Sequence, residues 1–396
     1  MTSPTPAATG DWTTTGDLPA ATAWHGQDDG AVLLTDGKGV LVAGGADPAG
    51  AATARTARYD PGARTWTAGR PLSTPRRLHT TTLLADGRVL VTGGTGGTGT
   101  HPAGLASAEL YDPADGTWTT VAALGEARWG HTAVLLDGGK VLVTGGRTTR
   151  DGTSARALAS AEVFDPDGDP DDPVKGAWTA APPMLDARSG HGAVLFKGGR
   201  VLVTGGTAPI SPDRDTALAF CELFDPSSGP AGAWTPAAPL AAPRAGHRTV
   251  LTGPTTALVV GGATPGSRDP YAVLGVERYD LAAATWTARP ATDGGRAHHR
   301  VLPLGGTRFL VVGGTTHDDH GLGYRSALVY DDAGPGAWSR AAGTAEGRWG
   351  CAAAVLGAGR VLVTGGTLAS GVAAPDPDTA ELTRTTEVFD LAGDGS

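Results

Sequence analysis

The side chains best suited to chemistry in this chain are His298, His25, Asp28 and Asp29, because imidazoles and carboxylates exchange protons near neutral pH. Each belongs to a stretch that departs from a pattern the chain otherwise repeats. Two residues after a recurring arginine stands Gly130, Gly190, Gly246 or Gly350, but His298 and Leu78 replace that glycine in two places. Arg296 is followed by Leu328 where its counterparts are followed by glutamate, so its guanidinium is expected to meet an anion instead. Arg77, Trp24, Trp129, Trp349 and Cys351 break the pattern at neighbouring positions. Gathered together, these residues would make an aromatic-walled pocket. In it, His298 or His25 moves a proton, Asp28 or Asp29 opposes it, Arg296 or Arg77 holds an oxyanion, and Leu78, Cys351 and the tryptophans contact the substrate. Such a set suits isomerisation, cyclisation or elimination without a cofactor. The competing reading is drift among degenerate repeats.

The elements that must position them recur with a regular period. Val141-Leu142-Val143-Thr144-Gly145-Gly146 has seven versions, ending in the glycine pairs that begin at Gly44, Gly93, Gly145, Gly205, Gly261, Gly313 and Gly365. An apolar run of this length suits a buried strand, and a period of about fifty residues with several strands per unit predicts a propeller. In the third unit Val134-Leu135-Leu136 reads as a first strand, Asp137-Gly138-Gly139 as a tight turn and Lys140 to Thr144 as a second strand. Ala161 to Asp165 reads as a third, and Trp178-Thr179 lies in a fourth. The seventh unit ends at Phe389-Asp390 without its tryptophan, while Asp11-Trp12-Thr13 stands ahead of the first unit. An N-terminal strand over about 10–16 is therefore expected to complete the last blade, making residues 1–396 one closed ring.

Arg-x-Gly-His, an apolar strand ending in Gly-Gly, an aromatic-Asp pair such as Phe164-Asp165 and a tryptophan follow one another in the order of the kelch family. The chain resembles that family over nearly its whole length. The resemblance implies an all-β, seven-bladed propeller with four antiparallel strands per blade, like the central domain of galactose oxidase. Its functional implications are broad, since kelch propellers include protein-binding adaptors, a sialic acid mutarotase, metal-dependent plant specifier proteins and copper radical oxidases.

Repetition separates scaffold from site. Arg76 and His79, Arg128 and His131, Arg188 and His191, Arg244 and His247, and Arg296 and His299 recur as scaffold, and Glu109, Glu162, Glu222, Glu277 and Glu387 recur on the third strand, which predicts buried arginine–glutamate pairs across strands. The first unit has Ala57 at the glutamate position and Gly26 or Gln27 at the arginine position, and so lacks the pair. Antiparallel order puts the loops after Gly-Gly on one face, around the channel mouth, where a small-molecule ligand or a protein partner is expected. His317, Asp319 and His320 in one such loop are a weaker candidate for a metal. Two cysteines, Cys221 and Cys351, without ligand spacing suggest reduced thiols and a cytoplasmic setting. A net charge of -9 argues against a nucleic-acid surface. No stretch is apolar enough for a membrane span, and a monomer is the expected state.

Overall fold

The computed structural model describes residues 10–392, apart from 24–27, 29, 36, 38, 98–102, 151–153, 170, 173–174, 212–213, 266–271, 317–320 and 377. Seven four-stranded antiparallel sheets stand around a central channel. Blade three, with strands Thr132–Leu135, Val141–Thr144, Ala161–Asp165 and Ala177–Ala181, shows the plan. Its second strand is buried throughout, because neighbouring sheets cover both of its faces. The innermost strands contact one another all the way round the ring. Core clusters run between sheets: Leu142 of blade three packs with Val201, Val203 and Phe224 of blade four.

Blade seven takes its fourth strand from the other end of the chain. Gly10–Thr14 pairs antiparallel with Thr386–Leu391, setting Trp12 opposite Phe389. Their rings lie 5.2 Å apart, as the Tyr59 and Trp66 rings do in blade one. The indole of Trp12 donates to the Ala342 carbonyl, just past the fourth strand of blade six, at 2.8 Å, as Trp178 of blade three donates to Ala122, just past the fourth strand of blade two. The ring is thus sealed by the same aromatic-strand chemistry that finishes the other blades.

Blades are latched by the residue that starts each Arg-x-x-His element. Gly94 N–H donates to the Arg128 carbonyl of the next blade at 2.8 Å, and equivalent bonds join every neighbouring pair. In the last of these, Gly366 donates to Thr22 at 3.0 Å. Thr22 therefore holds the arginine position of blade one, and the expectation of Gly26 or Gln27 there is corrected. Ala23 pairs with Ala46 as Trp129 pairs with Arg147, yet the next strand register resumes only near Gly30. Blade one thus carries extra chain between its latch and its first strand, which is why counting back from that strand misplaces the register.

The arginine–glutamate pairs form as the repetition predicts. Arg76, Arg128, Arg188, Arg244 and Arg348 are buried and reach Glu109, Glu162, Glu222, Glu277 and Glu387. Each carboxylate also accepts backbone N–H groups from the incoming link; Glu162, for example, takes Gly125 N–H at 2.6 Å. Two residues beyond the arginine, the chain turns through the left-handed region, with φ of 61° at Gly130 and 60° at Gly190. Glycine adopts that conformation without a side-chain penalty, which explains its recurrence there.

Candidate functional site at the channel

The site grows out of the joint between blades five and six, where the partners of the recurring histidine are replaced. His191 is buried and its Nε2 lies 2.9 Å from Thr132 Oγ1 and 3.1 Å from Thr144 Oγ1 of the preceding blade. His131 meets Thr80 and Thr92 in the same way, and His247 meets Thr204. Burial, with the nearby arginine second, holds His131 and His191 well below the usual histidine value and His247 at about 3. These rings are neutral struts.

Blade five carries Arg248 and Val260 where those threonines would stand. His299 of blade six, at 0% exposure, consequently has no hydrogen-bond partner on either ring nitrogen among the described residues. Burial, followed by the charges of Arg296, Arg248, His298 and Arg300, pushes its pKa well down. The ring is thus neutral, with one donor and one acceptor. It lines a cavity of about 50 Å³ in the channel, together with Asp28, Arg248, His298 and Arg300.

His298 takes φ of 54°, the left-handed backbone that its counterparts reach with glycine. A non-glycine residue held there is strained, and such strain gathers at functional positions. Its ring lies between two neighbours: Cε1 is 2.9 Å from where a Cβ on Gly246 would sit, and the Trp349 ring centroid is 5.9 Å away. The glycine at 246 therefore makes room for the imidazole. Arg300 crosses toward blades seven and one, donating from Nε to the Cys351 carbonyl at 2.6 Å and from a terminal nitrogen to the Asp28 carbonyl. Asp28 is brought into the channel by the extra chain of blade one.

The remaining expected residues fall elsewhere. Arg296 is 1% exposed and does not line the cavity. Its guanidinium donates to the Gly313 and Ser326 carbonyls at 3.2 and 3.3 Å and to Ser326 Oγ at 3.1 Å, with the Tyr324 ring centroid 5.3 Å away. Its backbone position puts it inside the blade whether or not a glutamate is present, and Leu328 fills the space. Cys351 holds the histidine position of blade seven but packs in the core with Leu302, Val312 and Val363. Trp129 is buried against the blade-two loop, its Cε3 being 3.1 Å from the place of a Cβ on Gly104. Arg77 pairs with Thr95, and burial lowers its pKa; Leu78, with φ of 55°, accepts from Gly130 N–H. None of these lines the cavity around His299. Trp24, His25, Asp29, His317, Asp319 and His320 lie outside the described residues. Among the described residues no group of three or more potential metal ligands converges.

Arg248, Arg300 and His299 are the channel residues that the repeat pattern hides. Their signal is a double change: arginine follows the recurring histidine, and Thr-Gly-Gly becomes Val260-Gly261-Gly262 and Val312-Gly313-Gly314 in those two blades. Blade seven answers by replacing its histidine with Cys351, which needs no threonine. Blade six keeps its histidine, and that ring is left facing the cavity.

A family model described as the Kelch motif matches residues 76–125. Human Kelch-like protein 34 is 29% identical over 286 residues, 69% of this chain, and the match spans 40% of the human protein. Among solved structures, a fungal alcohol oxidase of the AA5 family in complex with copper superposes with a TM-score of 0.72 at 17% identity, covering 98% of this chain and 78% of its own. The structure of YjhT superposes with a TM-score of 0.60 at 18% identity, covering 82% of this chain and 99% of its own. At such identities the superpositions speak for the fold alone. With its sevenfold latches, its Gly-Gly strands and its tryptophan-closed blades, the chain is a seven-bladed propeller that carries a Kelch motif and is similar to kelch-repeat proteins.

Proposed function

We propose that the channel binds a small anionic molecule and transfers a proton on it, as an isomerase, cyclase or lyase would, with no organic cofactor. The observation that carries this reading is His299: a neutral, buried imidazole without a hydrogen-bond partner among the described residues, in a cavity flanked by two arginines. Arg248 and Arg300 supply the charge that a carboxylate or an enolate requires, and a low-dielectric channel strengthens their attraction for it. In this reading His298, beside Trp349, moves the proton, and Asp28 lines the same cavity. The cavity of about 50 Å³ admits one polar group, so the body of the substrate rests at the mouth.

Pyruvate is a suitable probe, being a small carboxylate with exchangeable methyl protons. Histidine-ring NMR is expected to show the His298 and His299 signals shifting on titration, with the shifts absent in Arg248→Met. Deuterium entry at the pyruvate methyl in heavy water would report proton transfer. Shifts that persist in Arg248→Met would remove the anion-binding reading. A second reading, in which the loop face holds a protein partner, draws on two exposed apolar side chains in the loops of blades six and seven, Leu322 and Val372.

A further inference from the structure

Blade one contains a second cavity, of about 360 Å³, away from the channel site. Its walls correspond, position by position, to the surroundings of the buried arginine in the other blades. Thr22 stands at the arginine position and Ala57 at the glutamate position, since Val42 pairs with Ala57 as Val91 pairs with Glu109. Gly44 donates to Arg55 as Gly93 donates to Ser107, so Gly44 and Arg55 supply the two carbonyls that meet the guanidinium elsewhere. In blade two those carbonyls take Arg76 Nη1 at 2.7 and 3.1 Å; in blade seven they take Arg348 Nη1 at 3.2 and 3.0 Å. Thr22, Gly44, Arg55 and Ala57 all line the cavity.

The difference extends to the partners of the ion pair. Ser73 N–H donates to Glu109 at 2.8 Å in blade two, whereas the matching residue in blade one is Pro19, which has no N–H. Without glutamate and without that donor, the cavity is largely apolar around Leu18, Val42 and Ala57, and the Gly44 and Arg55 carbonyls are the acceptors that remain at the place of the missing guanidinium. A guanidinium is the complementary group, having five N–H donors and no acceptor. Blade six shows that the carboxylate is dispensable, because Arg296 is held there by carbonyls, Ser326 Oγ and the Tyr324 ring opposite Leu328. The comparable groove on blade five ends at Glu277 and does not reach Arg244 or Gly261.

We propose that blade one binds an arginine-like guanidino acid, its guanidinium seated where six other blades seat their own arginine. Pro19, Ala68, Gly69 and Pro71 are exposed at the opening. The exposed side chain of Arg55 at that rim favours a carrier ending in a carboxylate, as free arginine does.

The test is a titration of the full chain with L-arginine and with L-citrulline, whose urea has the same shape but no charge, followed by amide NMR. L-Arginine is expected to give saturable shifts at Thr22 and Ala57 with affinity at least tenfold above that for citrulline. Ala57→Glu restores the carboxylate and is expected to tighten arginine binding about tenfold. Thr22→Arg supplies the guanidinium from the chain itself and is expected to abolish the shifts. Equal affinity for citrulline in the unaltered protein overturns the proposal, whatever the variants do. Arginine shifts retained in a folded Thr22→Arg protein overturn it as well.

Discussion

Blades three and four meet through a histidine answered by threonine, while blades five and six meet through a histidine answered by arginine and valine. The backbone of the two joints is the same: Gly146 N–H to the Arg188 carbonyl is 2.8 Å, and Gly262 N–H to the Arg296 carbonyl is 2.9 Å. His191 and His299 are both buried and both neutral. What differs is whether the ring is already satisfied. A repeated strut becomes a candidate reactive group here by a change in its partner, with the histidine itself untouched. The same holds for the arginines, where Arg128 has Glu162 and Arg296 has Leu328 across the strand.

Acid should expose the whole set of joints and give the largest effect. His131, His191, His247 and His299 all have folded values below the ordinary histidine value of about 6.5. Above that value both folded and unfolded chains are neutral at these sites, so stability is unaffected. Below it the unfolded chain takes up protons that the folded one refuses, and stability falls as pH drops from about 6.5 toward about 3. The expected loss is several kcal/mol, because every tenfold drop in a ring's proton affinity on folding is worth about 1.4 kcal/mol. Urea unfolding between pH 7 and pH 4 measures it. His191→Gln should flatten the curve by one group's share, and an unchanged slope would contradict neutral burial at that joint.

The ionic comparison comes next. Glu162→Ala leaves Arg128 buried without its carboxylate and is expected to cost about 3–5 kcal/mol in urea unfolding. Leu328→Glu, which offers Arg296 the missing partner, should change stability by no more than about 1 kcal/mol, since removing a well-packed leucine offsets the new ion pair. Large and equal effects in both blades would show that Arg296 is as dependent on a carboxylate as Arg128, and would weaken the blade-six precedent for the site in blade one.

The propeller is legible in the sequence because the features that repeat are those every blade needs: a buried strand, two glycines at a close approach, and a tryptophan. Gly93 illustrates this, since a Cβ there would come within 2.6 Å of the Arg128 carbonyl. Trp12 is legible for the same reason, as a missing member of a complete series. His298 can be read because it displaces a glycine from a left-handed turn. Arg248, Arg300 and His299 escape because histidine there looks like one more strut, and its loss of threonine is written in a different blade, at Val260. Arg296 misleads because a missing glutamate implies a free guanidinium only if the arginine can leave the blade, and its backbone latch prevents that. Thr22 is hidden because the insertion after it shifts the count.

Restoring the partner tests the first contrast directly. Val260→Thr puts a hydroxyl where Thr204 stands for His247, and one added buried hydrogen bond is worth about 1 kcal/mol. The variant is expected to be slightly more stable in urea and to lose the His299 response to pyruvate. A response that survives would mean that the ring has no part in holding the anion.

The smallest effect bears on His298. At φ of 54° the imidazole sits in a conformation that glycine adopts freely, so His298→Gly relieves strain while it removes the ring from beside Trp349. His298→Ala removes the ring and keeps a Cβ in the left-handed region. If the histidine is retained for chemistry, the glycine variant should be as stable as the unaltered protein or more so, by up to about 1 kcal/mol, and the alanine variant should fall below the glycine one. Both should lose deuterium exchange into pyruvate. Leu78→Gly in blade two supplies the control, because it relieves the same backbone strain at a place outside the cavity and should leave exchange intact. Should His298→Gly prove the least stable of the three, the ring serves packing against Trp349, and the proton-transfer role passes to His299.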